Sequence, residues 1–318
     1  MAPQRVAPIA GATARLLSPA TLPRRFGVYL GERFPPVDYA FAVGLFYFAA
    51  AVTAARLTGA PALTPVTAIG LATVFLVFLH LRLMDEIKDA THDARHFPDR
   101  AVPRGLITLG EVRAIGLVLV AAELLLNALL PATTRLAFLA VLAFTLLMYR
   151  EFFAGTALRA NFLVYTLVHM PVLPLLALYA YATVLAGAPV VAVPFGLFLA
   201  ASYAGGLTLE IARKIHAPGD EPHDVYTYSK HLGVAGVTGF LLGLDLVQTA
   251  CAVALGTVLG LGAGFAAGVV LVGGATALAL ARFGARPTER LASLLERAIL
   301  PASVLGPYGL LILAVTRG

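Results

Sequence analysis

Residues 65–93 read PVTAIGLATVFLVFLHLRLMDEIKDATHD. The first two-thirds is an apolar run, close to the roughly 20 residues that cross about 30 Å of hydrocarbon. The run ends in Asp85, Glu86, Asp89 and Asp93. Comparable apolar runs recur on both sides, and none alternates in polarity as an outer-membrane barrel strand would. Across the 318 residues, 59% are hydrophobic and 13% charged, with a mean hydropathy of +0.87. Ordinary soluble domains carry about 25% charged residues, so the composition excludes a soluble fold and predicts an all-α polytopic membrane protein.

Windows of about 19 residues predict nine transmembrane helices, near 38–58, 65–84, 111–130, 133–149, 163–184, 191–211, 236–257, 261–281 and 298–315. The Gly-rich stretch from Gly256 to Gly274 fits an interrupted helix or close helix packing. Residues 1–37 read as a basic cytoplasmic or interfacial segment without a cleaved signal peptide, and 38–318 as one membrane domain. With the N-terminus cytoplasmic, all of the 23 Lys and Arg except Arg56, Arg135 and Arg317 fall on the cytoplasmic side, as the positive-inside rule requires. The same parity puts the long connections at 85–110, 212–235 and 282–297 on that face. The expected location is therefore the inner membrane of a bacterial or archaeal cell, with a central cavity open to the cytoplasm. The net charge of +6 is topology, because no basic stretch is interleaved with exposed aromatics as nucleic-acid binding would need. Cys251 is the sole cysteine and carries no disulfide information.

Nearly half of the 17 acidic residues sit in two segments: Asp85, Glu86, Asp89 and Asp93 after the second span, and Glu210, Asp220, Glu221 and Asp224 after the sixth. Spacings of three and four stack the first set along one helical face, where like charges repel. Two readings fit. One is a solvated helix end, paired with nearby basic residues. The other is a Mg²⁺ site: hard oxygen ligands without a His-Cys set suit Mg²⁺, which takes one or two carboxylates while phosphate and water complete its octahedron. Arg82, Lys88, Arg213 and Lys214 stand nearby to hold phosphate charge. Downstream, Thr108 and Glu111 form a capping box that starts the third span. Pro98, Pro103 and Gly105 order the preceding loop as a lid.

These residues resemble the UbiA superfamily of intramembrane prenyltransferases, of the 4-hydroxybenzoate polyprenyltransferase type. Members carry Asn-Asp-x-x-Asp-x-x-x-Asp followed by a segment like Arg-Pro-x-Pro-x-Gly-x-Ile-Ser. Asp85, Glu86, Asp89 and Asp93 occupy the first pattern, and Arg100, Ala101, Pro103, Gly105, Ile107 and Thr108 the second. The family's second acidic motif is matched less closely, by Glu210, Gly219-Asp220, Thr227 and Leu232-Gly233, with Arg213 and Lys214 where an Asp is expected. The resemblance implies Mg²⁺-dependent transfer of a prenyl group from an isoprenyl diphosphate to a small-molecule acceptor, often aromatic, in the membrane and without nucleic acid. It implies metal ligation by Asp85, Glu86, Asp89, Asp93, Glu210, Asp220 and Asp224, and catalytic neutralisation of diphosphate by Lys88, Lys214 and Arg213. Arg82, Arg100, Arg104, Arg159 and Lys230 would bind diphosphate or serve the lid. A terpene cyclase on the same scaffold is the nearer alternative, and a divalent-cation transporter the more distant one.

Secondary candidates have two readings each. Tyr149, Phe152, Phe153, Tyr165, Tyr179, Tyr181 and Tyr203 suit cation-π contact or plain packing. Glu123, Asn161, His169, Asp245 and Gln248 suit function or helix-to-helix hydrogen bonding. His92, His216, His223 and His231 form no zinc spacing.

Overall fold

The structure is a computed structural model that describes residues 21–185, 192–222 and 225–317. Among them every regular element is helical. In chain order these are α1 (Leu22–Arg33), α2 (Pro36–Thr58), α3 (Pro65–Lys88), α4 (Ala90–His96), α5 (Leu109–Ala128), α6 (Ala132–Tyr149), α7 (Gly155–Ala160), α8 (Phe162–His169), α9 (Val172–Leu185), α10 (Phe195–Ala212), α11 (Tyr228–Val258), α12 (Gly262–Ala285), α13 (Glu289–Leu294) and α14 (Leu300–Arg317). Eight helices are long and apolar enough to cross a bilayer, counting α8 with α9 and α13 with α14 as one each. The ninth expected span coincides with α5, whose 20 residues include Glu111, Arg113 and Glu123. A helix of 18 residues already rises about 27 Å, so the eight match hydrocarbon thickness.

Contacts divide the described residues into two units. One comprises residues up to Ala40 and Phe75–Leu124; the other comprises Phe41–Val74 and residues from Leu125 onward. In the first unit, Tyr29 of α1, Leu83 of α3, Ala101 and Ile107 of the loop after α4, and Val112 of α5 form a buried core. Pro23 is compatible with the first turn of α1, where its missing N–H is no loss. Glu123 is fully buried in α5, with an oxygen 2.7 Å from Nδ1 of equally buried His80. A carboxylate inside a helix of this kind requires such a partner.

The second unit packs α11 against α10 and α12, and α14 against α12. Ile211, Val237, Leu241, Leu280, Phe283 and Leu295 form its core near the ends of these helices. Aromatic rings extend the packing, with Phe198 stacked on both Phe195 and Tyr308. Helix-to-helix hydrogen bonds do the rest: Gln248 Nε2 donates to Ser303 O (2.8 Å), and Tyr179 Oη donates to Asn127 Oδ1 (2.8 Å). Of the two readings of the Gly256–Gly274 stretch the structure has close packing: Gly256, Gly268 and Gly273 lie against Phe265, Leu310 and Thr249, α12 runs unbroken, and Gly260 and Gly262 take positive φ at the turn between α11 and α12. Helix α11 starts earlier than its apolar run, and its 31 residues bend at Gly233 (φ 70°).

Tyr47 Oη donates to Thr67 O (2.8 Å) and lies 2.7 Å from Thr183 Oγ1, directly over Gly70. A methyl group at position 70 would collide with that tethered hydroxyl and with Thr183 Cγ2. Gly70→Ala should therefore destabilise the protein by about 1–3 kcal/mol despite better helix propensity. A thermal unfolding midpoint in detergent that equals the wild type would refute this.

Candidate functional site

The acidic segment of the first unit lies where α3 passes into α4. Asp89 N donates to Asp85 O and Asp93 N to Asp89 O, both at 2.8 Å, so the helical ladder survives the junction. The four carboxylates nevertheless do not share one environment. Asp85 is half exposed, with its side chain at 55%, and Asp89 is exposed. Glu86 and Asp93 are buried, at 2% and 3%. Burial without a counter-charge is costly, and arginines supply it. One oxygen of Glu86 accepts from Arg33 Nε at 2.7 Å and from Arg82 Nη2 at 2.5 Å. Asp93 accepts from Arg100 Nη1 at 2.7 Å, with Arg33 Nη2 at 3.8 Å. Loss of hydration, and then the Asp93 charge, raise the Asp89 pKa above the ordinary carboxylate value. A bound cation would reverse that shift.

The loop from Phe97 to Thr108 closes on itself through Arg104 N to Arg100 O (3.0 Å) and Leu106 N to Ala101 O (2.9 Å), with Gly105 at φ 79°. Its expected capping box is present: Thr108 N donates to Glu111 Oε2 (2.9 Å), and Glu111 N donates to Thr108 Oγ1 (3.2 Å). Helix α1 fastens this loop from outside. Buried Arg25 donates to both Glu111 oxygens (2.9 and 2.5 Å) and to Leu106 O (3.0 Å), while Arg104 forks onto Glu32 at 2.9 and 2.6 Å. The Arg104 hydrogen bond holds the Glu32 pKa below its usual value. Arg25→Ala removes a buried guanidinium with four acceptors, Thr21 Oγ1 included, and should cost about 3–5 kcal/mol. Scanning fluorimetry checks this, with Arg104→Ala as a control worth about 1 kcal/mol or less at the surface.

In the second unit, Glu210 at the end of α10 is paired with Arg213 and with Lys214 Nζ at 2.7 Å. Lys214 also lies over the Phe162 ring, 4.6 Å from its centre. The following loop is held by Tyr228 N to Lys214 O (3.0 Å) and His216 N to Ser229 Oγ (2.8 Å). Asp220 is half exposed and 3.7 Å from His216 Nδ1. Thr227 caps α11 and donates to Glu221 at 2.6 Å, and Lys230 Nζ donates to Pro222 O at 2.6 Å. Asp224 and His223 lie outside the described residues. Arg159 grips Glu151 through Nε at 3.0 Å and Nη2 at 2.6 Å.

The expected ligands differ in burial and in pairing. Asp85, Asp89 and Asp220 are exposed, Asp85 with Arg82 at 3.9 Å and Asp220 with His216 at 3.7 Å, whereas Glu86, Asp93 and Glu210 are buried or half-buried against guanidinium or ammonium groups. Among the described residues, no three His, Cys, Asp or Glu side chains are grouped to hold a metal. Arg82, Arg100, Arg104, Arg159, Arg213 and Lys214 are each engaged with a carboxylate of the protein itself. Of the secondary candidates, Asn161 caps α8 (Val164 N to Oδ1, 3.1 Å), and the His169 ring is 3.9 Å from that of Tyr165. Sequence reasoning missed Arg33, Arg25 and Tyr29. Their spacing of four on α1 is the signal that could have found them.

No family model matches the sequence, and no curated protein matches it. Solved structures do. The fold superposes on the apo structure of a UbiA homolog from Aeropyrum pernix K1 with a TM-score of 0.62, at 20% identity, covering 86% of this chain and 96% of that one. The chain has the UbiA fold. A structure reported for digeranylgeranylglyceryl phosphate synthase in membranes agrees, with a TM-score of 0.63 at 15% identity, covering 93% of this chain and all 100% of the other. In this UbiA fold the acidic segment ends the second long apolar helix, and the less regular acidic loop follows α10.

Proposed function

We propose that the protein transfers an isoprenyl group from its diphosphate to a small-molecule acceptor within the membrane, using Mg²⁺ held by Asp85 and Asp89. The observation that carries this reading is the exposed carboxylate pair at the end of a membrane-crossing helix, in a chain with the UbiA fold. Two hard carboxylates four residues apart, both reaching the surface, fit an ion that takes one or two such ligands and fills its remaining positions with phosphate and water. When bound, the ion would neutralise the diphosphate as it departs.

The remaining tasks belong to side chains. Lys88, adjacent to Asp89 in the chain, would add a point charge toward the diphosphate oxygens. Arg82 holds Glu86 and lies 3.9 Å from Asp85. Arg100 anchors the lid at Asp93, and the lid excludes water from an allylic cation that water would otherwise capture. Lys214 and Arg213 hold Glu210 in place, and Asp220 is an exposed carboxylate of the following loop. With α5 counted as the ninth span, the positive-inside count puts both acidic segments and the N-terminus on the cytoplasmic side, the side on which this reading has the site open.

The test uses purified protein in lipid nanodiscs with farnesyl or geranylgeranyl diphosphate, with and without a lipid extract as acceptor source. Mg²⁺-dependent pyrophosphate release with a prenylated product in the extract supports the reading. No release under any of these conditions overturns it. Release with a cyclised hydrocarbon and no acceptor would instead assign a cyclase.

A further inference from the structure

Asp93 fixes the rotation of α4. Its carboxylate is buried against Arg100 and approached by Arg33, so a strip of the helix about 60–100° away from it is left toward the outside. Two histidines occupy that strip: His92, which is exposed, and His96, which is half-buried. At a spacing of four they stand one turn above the other. Their ring centres are 4.5 Å apart, with the planes inclined by 35°. Among the described residues, neither imidazole makes a hydrogen bond or an ion pair. Both rings therefore keep a nitrogen lone pair to offer, next to each other and open to solutes.

Two imidazoles at this separation fit one ion. A metal about 2.1 Å from a ring nitrogen sits about 3.2 Å from the centre of that ring, so two neighbouring ligands of one ion place their ring centres about 4.5–5 Å apart. Imidazole nitrogen suits Zn²⁺, Ni²⁺ and Cu²⁺, whereas Mg²⁺ keeps to oxygen. We infer that His92 and His96 chelate a divalent first-row transition-metal ion on the outer strip of α4. Water completes its shell, since among the described residues no third His, Cys, Asp or Glu is grouped with the pair. The ion differs in ligands and in chemistry from the Mg²⁺ of the proposed function, and the inference does not rest on that reading. An ion held across one turn is bound only while the turn is helical, so it stabilises the end of α4. That end leads straight into the Phe97–Thr108 loop, where Phe97 N donates to Asp93 O at 2.8 Å.

The full chain without a polyhistidine tag is titrated with Ni²⁺ by calorimetry, in detergent and in a large excess of Mg²⁺. The excess occupies carboxylates, so the tightest Ni²⁺ binding that persists reports nitrogen ligands. His92→Gln and His96→Gln should each weaken it by about tenfold or more, and His216→Gln, in the other acidic segment, should leave it unchanged. Ni²⁺ should also slow amide exchange over Asp93–Phe97 in the wild type and not in His96→Gln. Binding that survives His92→Gln or His96→Gln unchanged overturns the inference. So does loss of binding in excess Mg²⁺, or Ni²⁺ bound with no slowing over Asp93–Phe97. Each of these results leaves the proposed function standing, because none depends on prenyl transfer. If a variant does not fold, amide exchange over Asp93–Phe97 in the wild type still decides.

Discussion

Asp89→Asn should abolish Mg²⁺-dependent release of pyrophosphate, by about 100-fold or more, while leaving the protein folded. In the proposed site Asp89 is one of two exposed carboxylates that would hold the ion, and Mg²⁺ bound through one or two side chains has none to spare. The same substitution should not lower the thermal midpoint of the metal-free protein. In the folded state the Asp89 pKa is raised, first by lost hydration and then by Asp93, so its ionised form opposes folding. That penalty is full above the folded-state pKa and vanishes below the unfolded one, so any gain from asparagine appears at neutral pH and fades in acid. Activity comes from a pyrophosphate release assay, and stability from scanning fluorimetry in detergent. A variant that keeps turnover within a few-fold of wild type would remove Asp89 from the site.

Glu86→Ala should fail in the opposite way. Glu86 is 2% exposed and its Oε1 accepts from two arginines. Without it, two guanidiniums remain in a buried space with one acceptor fewer, a loss of about 3–5 kcal/mol. Asp85→Asn, one residue away but with a side chain 55% exposed, should cost about 0.5 kcal/mol or less. Thermal midpoints of the two variants make the comparison. Equal midpoints would mean that the Arg33–Glu86–Arg82 contact does not support the fold. Adjacent residues of one motif thus stand in different settings: Asp85 and Asp89 are exposed, and Glu86 and Asp93 are buried against arginines.

That division was readable in principle. At about 100° per residue, Asp85 and Asp89 fall on one strip of the helix, and Glu86 and Asp93, seven apart, on the next. Spacings of three and four had merged them into a single face. The spans were legible because lipid leaves the chain little choice: α2, α6, α10 and α12 begin and end close to the apolar runs that predict them. The capping box was legible for a similar reason, since both its partners lie within four residues. The contacts that give the site its character were not local. Arg33 meets Glu86 across 53 residues, and Arg25 meets Glu111 across 86. The sequence reading treated both arginines as topology signals. His80 and Glu123 are 43 residues apart, and no pattern within either helix announces their pairing.

Between α6 and α7 the backbone turns the wrong way. Glu151, Phe152 and Phe153 all have φ between 49° and 58°, a conformation that costs each such residue about 1–3 kcal/mol. Arg159 pins the turn through Glu151, yet its own side chain is 67% exposed. Ions in solution weaken a contact of that kind and leave the torsional strain untouched. Ionic strength is therefore a dial on the shape of this junction: in dilute buffer the coiled spring stays latched, and in concentrated salt it is freer to unwind.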